Sequence, residues 1–273
     1  MSFMKILTRK HILSIAREKQ LLLFLDYDGT LAAIHRNPAK GKLKSGEKNV
    51  IRQLVAQRGI TVALISGRSI QSLKRMAPIQ KIIYAGNHGF QLEGPGMKRV
   101  HPAAAAAKNL MRKLARNLGK KYRAVPGILI ENKTYTLTVH YRDVHPALIE
   151  TARLILLRTT RRWVAKSKIV LCDSKQVWEI HPAAEWNKGT TVLWLLKRIS
   201  SEYSGPVLPI YVGDDLPDEE AFKALGDCGM TIKVTDNPKE RSHAGFRLRS
   251  PSEVFCFLKQ LIEIRKQERQ LRR

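Results

Sequence analysis

Carboxylates are scarce in this chain: 23 Asp and Glu stand against 49 Lys and Arg, so its 273 residues carry a formal net charge of +26. That imbalance points toward anionic partners, whether a small molecule, a nucleic acid or an anionic membrane surface. Cysteine is rarer still. Cys172, Cys228 and Cys256 are odd in number, far apart and without metal-ligand spacing. That excludes a disulfide framework and a zinc module and implies a reducing compartment. No apolar stretch approaches the length needed to span a bilayer, and Thr8-Arg9-Lys10-His11 interrupts the apolar core that a secretion signal needs, so a cytoplasmic location is expected. Repeats and long low-complexity linkers are absent too, and the length suits one large or two smaller domains.

In a chain so poor in acids, the places where acids gather carry information. Asp26-Tyr27-Asp28-Gly29-Thr30 comes directly after the apolar run Leu21 to Leu25. Five consecutive apolar residues read as a buried parallel strand, and open α/β sheets bind ligands beyond the carboxyl ends of their strands. Gly29 permits a sharp turn, and one of two carboxylates spaced this way can attack while the other carries protons. An Asx turn capping a strand explains an Asp-Gly pair. It does not explain Asp26.

A second apolar run, Ile60 to Ile65, ends in Ser66-Gly67-Arg68-Ser69. There Ser66 is expected either to donate to an anion alongside the amides of the next helix or simply to cap that helix. A third, Pro206 to Val212, leads into Gly213-Asp214-Asp215-Leu216-Pro217-Asp218-Glu219-Glu220. This cluster suits Mg²⁺, a hard cation held by one or two carboxylates with water and phosphate oxygens. Complementing a helix dipole accounts for Glu219 and Glu220 but not for Asp214, which precedes the turn. Lys188 opens an amphipathic run, where a cation opposes the dipole. It either serves an anion or reaches solvent.

The succession Asp26 to Thr30, Ser66-Gly67-Arg68, Asn187-Lys188-Gly189 and Gly213-Asp214-Asp215 resembles the haloacid dehalogenase superfamily over the whole chain. With Gly86-Asn87-His88-Gly89, Glu131-Asn132-Lys133, His140-Tyr141-Arg142 and Glu179-Ile180-His181-Pro182, it is similar to the trehalose-6-phosphate phosphatases. It departs from that family in having His181 where Arg is common and Pro217 where Thr is common. The resemblance implies an α/β Rossmann-like core with a mainly parallel sheet, residues 1–103 and 184–273, and an inserted smaller α/β cap, residues 104–183. It implies that Asp26 is the nucleophile forming an aspartyl phosphate, that Asp28 is acid and then base, and that Ser66 and Lys188 neutralise phosphate charge. Mg²⁺ would be held by Asp26, the Asp28 carbonyl, Asp214 and Asp215, with Asp218 assisting. Arg68, His88, Glu131, Lys133, His140, Arg142 and Glu179 are the implied substrate contacts.

Within the expected cap, Val125 to Asn132 pairs with Tyr135 to Tyr141 and Lys168 to Cys172 pairs with Gln176 to Ile180, while Pro146 to Leu157 reads as a helix. Alternation puts Thr134, Thr136, Thr138, His140 and Arg142 on one strand face. A polar face of this kind serves a sugar or simply faces water. Residues 105–183 hold 16 basic and 5 acidic side chains, a field able to steer an anionic substrate. The expected partner is therefore a small sugar phosphate, with neither specific nucleic acid nor a membrane span, and a monomer is favoured. The rival functions are a phosphatase for sucrose phosphate or a glucosyl- or mannosyl-glycerate phosphate, a phosphomutase, and a basic nucleic-acid-binding module without catalysis.

Overall fold

Apolar side chains on both faces of a strand demand cover on both sides, and the strand carrying Leu21 to Leu25 lies in the middle of a doubly covered sheet. The computed structural model describes residues 2–35, 41–174 and 176–271. Two units emerge, Met1–Lys98 with Trp186–Arg273, and Arg99–Glu185.

The first unit is built on a nine-stranded sheet. Its order is β2 (Lys5–Ile6), β15 (Phe246–Leu248), β13 (Met230–Val234), β12 (Val207–Gly213), β3 (Gln20–Asp26), β4 (Ile60–Ile65), β5 (Ile83–Gly86), β6 (Gln91–Gly94) and β7 (Met97–Val100). Pairing is parallel from β2 through to β5, and β6 turns antiparallel against β5. A short pair, β1 (Ser2–Phe3) with β14 (Arg241–Ser242), stands apart.

Period two sorts the central strands onto two cores. Leu21, Leu23, Leu25, Val62 and Leu64 pack under α1 (Arg9–Arg17), α2 (Ser45–Val55), α3 (Ile70–Met76) and α8 (Pro251–Leu271). Leu22, Phe24, Ala63 and Ile65 pack under α6 (Lys188–Ser200) and α7 (Leu216–Leu225). From β3 the chain continues to β4 and β5 on one side, while β12 lies on the other side of β3 with Val212 opposite Leu25. That reversal of strand order opens a crevice at the carboxyl ends of β3 and β12, where α/β sheets bind ligands.

The second unit is a four-stranded antiparallel sheet, order β10 (Ile169–Ser174), β11 (Val177–Pro182), β9 (Leu137–His140) and β8 (Leu129–Asn132), with α4 (Pro102–Lys121) and α5 (Pro146–Ala165) on one face. The strand pairing matches the sequence pattern, but β8 starts four residues later than Val125. A 3-10 turn over Tyr122–Ala124 ends at Val125, and Gly127, at positive φ, turns the chain before the strand begins. Helix α5 runs eight residues beyond Leu157 and accommodates Thr159 and Thr160 by letting them donate to the carbonyls of Ile155 and Leu156, at 2.7 and 2.8 Å. The alternating face is shorter than expected. Thr134, at φ 75°, lies in the hairpin turn and Arg142 lies past the strand end.

Candidate active site

Asp26 is the last residue of β3, and its neighbour across the crevice is the end of β12, so Asp26 and Asp214 meet because two parallel strands stop together. After Asp26 the chain doubles back: the amides of Leu31 and Ala32 donate to the Tyr27 carbonyl, and the Gly29 amide donates to the Ala32 carbonyl. Gly29 takes φ +91°, and a Cβ there would sit 2.2 Å from Asp214 Oδ2. Only glycine allows the loop so close to that carboxylate. Thr30, fully buried, donates to Asp214 Oδ1 at 3.2 Å.

Lys188 does not reach solvent. As the first residue of α6, whose Asn187 cap accepts from the Thr190 amide, it projects into the crevice with its side chain 1% exposed. Its ammonium donates to Asp218 Oδ1 at 2.7 Å, Asp26 Oδ1 at 2.8 Å and Asp215 Oδ1 at 3.3 Å. Burial by itself would lower its pKa, but Asp215, Asp218 and Asp26 outweigh burial and hold it well above the ordinary value. Burial raises the Asp26 carboxyl, against the pull of Lys188 and with added repulsion from Asp218, Asp215 and Asp214.

One ammonium therefore contacts three carboxylates, with Asp214 close to Asp26 as a fourth, a donor set that calls for more positive charge. The second Asp26 oxygen, Oδ2, is buried and accepts no hydrogen bond, and oxygens of Asp26, Asp214 and Asp218 lie within 4.8 Å of one another. Such an all-oxygen group with an unmet acceptor fits a hard divalent cation.

Asp218 is the most committed of the three. It accepts from Tyr211 OH at 2.6 Å and from the Asp214 and Asp215 amides at 2.9 and 3.0 Å, and burial raises its pKa to about 6. Asp215 caps α7 and leans on Lys188. Tyr211, in an otherwise apolar strand, escapes sequence reasoning because its hydroxyl finds a partner only after folding. Glu219 stands in the first turn of α7, as a dipole-complementing acid should, and is also a buried anchor, accepting from Lys233 Nζ and Ser242 Oγ at 2.7 Å and from the His243 amide at 2.9 Å, which ties α7 to the strands beyond it.

Asp28 and Arg68 come together. The guanidinium grips the carboxylate in a bidentate pair, Nε to Oδ2 at 2.6 Å and Nη2 to Oδ1 at 2.5 Å. Ser66 is buried beside them and caps nothing. Helix α3 begins at Ile70 under Ser69, and Ser66 Oγ accepts from the Arg68 amide at 3.1 Å. His88 sits at φ 56° in a loop sewn to this one by Asn87 N to Arg68 O and His88 N to Ser66 O, at 2.7 and 3.0 Å.

In the second unit, the sheet face turned away from the helices gathers the remaining expected substrate contacts. Lys133 Nζ and Thr138 Oγ1 approach Glu179 Oε1 at 3.4 and 3.3 Å, and His140 Nε2 approaches Glu131 Oε2 at 3.3 Å. His181 joins the set at 3.4 Å from Glu179 Oε2. Burial lowers its pKa, but Cys172 and Glu179 more than offset burial and raise it to about 9. His181 thereby keeps a cation beside Glu179 at neutral pH. Arg142 is separate, donating to Gln176 Oε1 at 2.8 Å.

The trehalose-phosphatase family profile matches residues 24–252. Trehalose-phosphate phosphatase B of Arabidopsis thaliana is 33% identical over 267 residues, covering 92% of this chain and 69% of that protein. The trehalose-phosphate phosphatase of Mycobacterium tuberculosis is 32% identical, covering 89% of this chain and 61% of that longer protein. Among solved structures, the C-terminal domain of Candida albicans trehalose-6-phosphate phosphatase superposes with a TM-score of 0.78 at 25% identity, over 96% of this chain and 99% of that one.

Proposed function

Because the chain belongs to the trehalose-phosphatase family, and is accordingly a phosphoric monoester hydrolase with the haloacid dehalogenase fold, we propose that it hydrolyses trehalose 6-phosphate to trehalose and inorganic phosphate through an aspartyl phosphate. The observation that carries this reading is the buried Asp26, one oxygen on Lys188 and the other unpartnered, at the end of the central strand.

The Asp26 carboxylate has the lone pair to attack phosphorus, one oxygen acting as nucleophile and the other left for the cation. The bond from phosphorus to the sugar oxygen breaks as the Asp26 bond forms, and Asp28 delivers a proton to the departing oxygen. Asp28 then takes a proton from the water that attacks the aspartyl phosphate, releasing inorganic phosphate and restoring Asp26. Lys188 favours the ionised form of Asp26 against the opposing effect of burial and offsets phosphate charge, and Ser66 contributes its hydroxyl to a phosphate oxygen. A divalent ion, Mg²⁺ by the hardness of the donors, would be held by Asp26, Asp214 and the Asp28 carbonyl, with Asp215 and Asp218 orienting the group. When bound it supplies charge neutralisation between two anionic reactants. Glu131, Lys133, His140, Arg142 and Glu179 are assigned to sugar selection, Arg68 and His88 to the phosphate side.

Phosphate release from a panel of sugar phosphates, with and without Mg²⁺, tests the proposal. Selective Mg²⁺-dependent hydrolysis of trehalose 6-phosphate is expected. Preference for sucrose phosphate or a glycosyl-glycerate phosphate would move the substrate, and transfer of the phosphoryl group to sugar instead of water would replace hydrolysis by a mutase reaction.

A further inference from the structure

The positive charge of the second unit is concentrated away from its polar sheet face. Helices α4 and α5 cover the other face, and they carry ten Lys and Arg against a single acid, Glu150. On α4, Lys108, Arg112, Arg116 and Lys120 recur every fourth residue and are all exposed, forming an oblique ridge that winds across the solvent side of the helix. On α5 the exposed residues Leu154, Leu157, Arg158, Arg161 and Val164 set two cations among aliphatic side chains that are 41 to 42% exposed. Among the described residues, none of these six cations forms an ion pair.

The helices lie antiparallel and side by side. Tyr122 OH, just past the end of α4, donates to Ala152 O at 2.9 Å in the first half of α5, and Lys113 Nζ stands 6.0 Å above the Trp163 ring near the other end. Arg162 packs on the same ring at 5.4 Å. Each helix has 20 residues, so the pair forms a plate about 30 Å long and roughly 20 Å wide.

Two uses of this charge fit poorly. Steering substrate to the polar sheet face is poorly served by cations that face solvent on the opposite side of the unit, where salt screens them and an arriving anion meets them first. A nucleic-acid duplex offers a major groove about 12 Å wide, which admits one helix and not two abreast. A single strand wants a row of aromatic platforms, and the only aromatic side chain on these two helices is Trp163, already covered by two cations.

A flat plate of Lys and Arg with aliphatic side chains between them and a tryptophan at its rim matches a plane of anionic headgroups over acyl chains. We propose that the α4–α5 face docks the protein on anionic phospholipid bilayers as a peripheral, electrostatically held contact. The arginines and lysines pair with lipid phosphates, while Leu154, Leu157 and Val164 enter the headgroup region.

Flotation of the full chain with phosphatidylcholine vesicles, with and without roughly one-third phosphatidylglycerol, tests this. Binding is expected to the anionic vesicles only, to weaken as salt rises, and to fall about tenfold or more in the double variant Arg158→Glu with Arg161→Glu. Phosphatase activity, which does not use these residues, reports that the variant is folded. If it is not, Arg112→Gln with Arg116→Gln on the other helix gives the same readout with a smaller drop. No binding by the wild-type chain, equal binding to neutral vesicles, or binding untouched in a folded variant would overturn the proposal. Preferential capture of a DNA duplex at matched phosphate concentration would replace it with a nucleic-acid surface.

Discussion

Replacing Lys188 by methionine removes, among the described residues, the only ammonium in contact with Asp26, Asp215 and Asp218 while keeping most of the side chain's bulk. The two nearest carboxylates, at 2.7 and 2.8 Å, are themselves almost wholly buried, so the change strands charge without access to water. Breaking a buried pair from one side costs about 3–5 kcal/mol. In a unit of this size that corresponds to a fall in melting temperature of roughly 6–20 °C at about 2–4 °C per kcal/mol.

The carboxylates can escape by protonation, and this fixes the sign of the pH dependence. Burial already lifts Asp218 from 3.8 to about 6 with Lys188 in place, and removing Lys188 moves it further in the same direction. The folded variant therefore binds protons that the unfolded chain does not, and stability rises as pH falls. The deficit of Lys188→Met should be large near pH 7.5 and shrink toward pH 5. Thermal unfolding in metal-free buffer at these two pH values reads it directly. A variant as stable as wild type near pH 7.5, or one whose deficit grows on acidification, would refute the account of Lys188 as the counter-charge of the crevice.

Asp26→Asn should reduce turnover by about a thousandfold or more, measured as phosphate release, yet leave stability unchanged or improved, because an amide removes a carboxylate whose ionisation burial opposes. In Gly29→Ala the new Cβ collides with Asp214 at a backbone φ that L-residues avoid, costing about 1–3 kcal/mol; the Mg²⁺ concentration for half-maximal activity should rise. His181 contributes stability that is fully present below its ordinary pKa of 6.5 and lost as pH rises through about 9, a difference worth about 3 kcal/mol at most. His181→Gln should flatten the wild-type decline in urea midpoint between those pH values, and an unchanged slope would count against the His181–Glu179 pair.

The crevice residues were legible because their chemistry is local. A strand buried on both faces must read as a continuous apolar run, and the residues just past its carboxyl end stand where ligands bind, so Asp26, Ser66 and Asp214 announced themselves. Partners chosen by folding were not legible. Tyr211 and Asp218 are seven residues apart and join only because α7 folds back over β12, and Lys188 finds Asp26 across 162 positions. The second unit's strands were readable as alternation, yet Thr159 and Thr160 masked the last two turns of α5. In the helix their hydroxyls bond back to the carbonyls of the preceding turn.

By itself, then, the sequence determined which strands are buried, where each one ends, the family and the scarcity of acids outside the crevice. The tertiary structure alone decided that Asp28 is gripped by Arg68, that Glu219 is a buried anchor as well as a first-turn acid, and that the ten cations of α4 and α5 form one plate facing away from the polar sheet. The reason is physical. Burial and turn chemistry act through neighbours in the chain, whereas ion pairing and charge density act through space and exist only once distant segments are packed together.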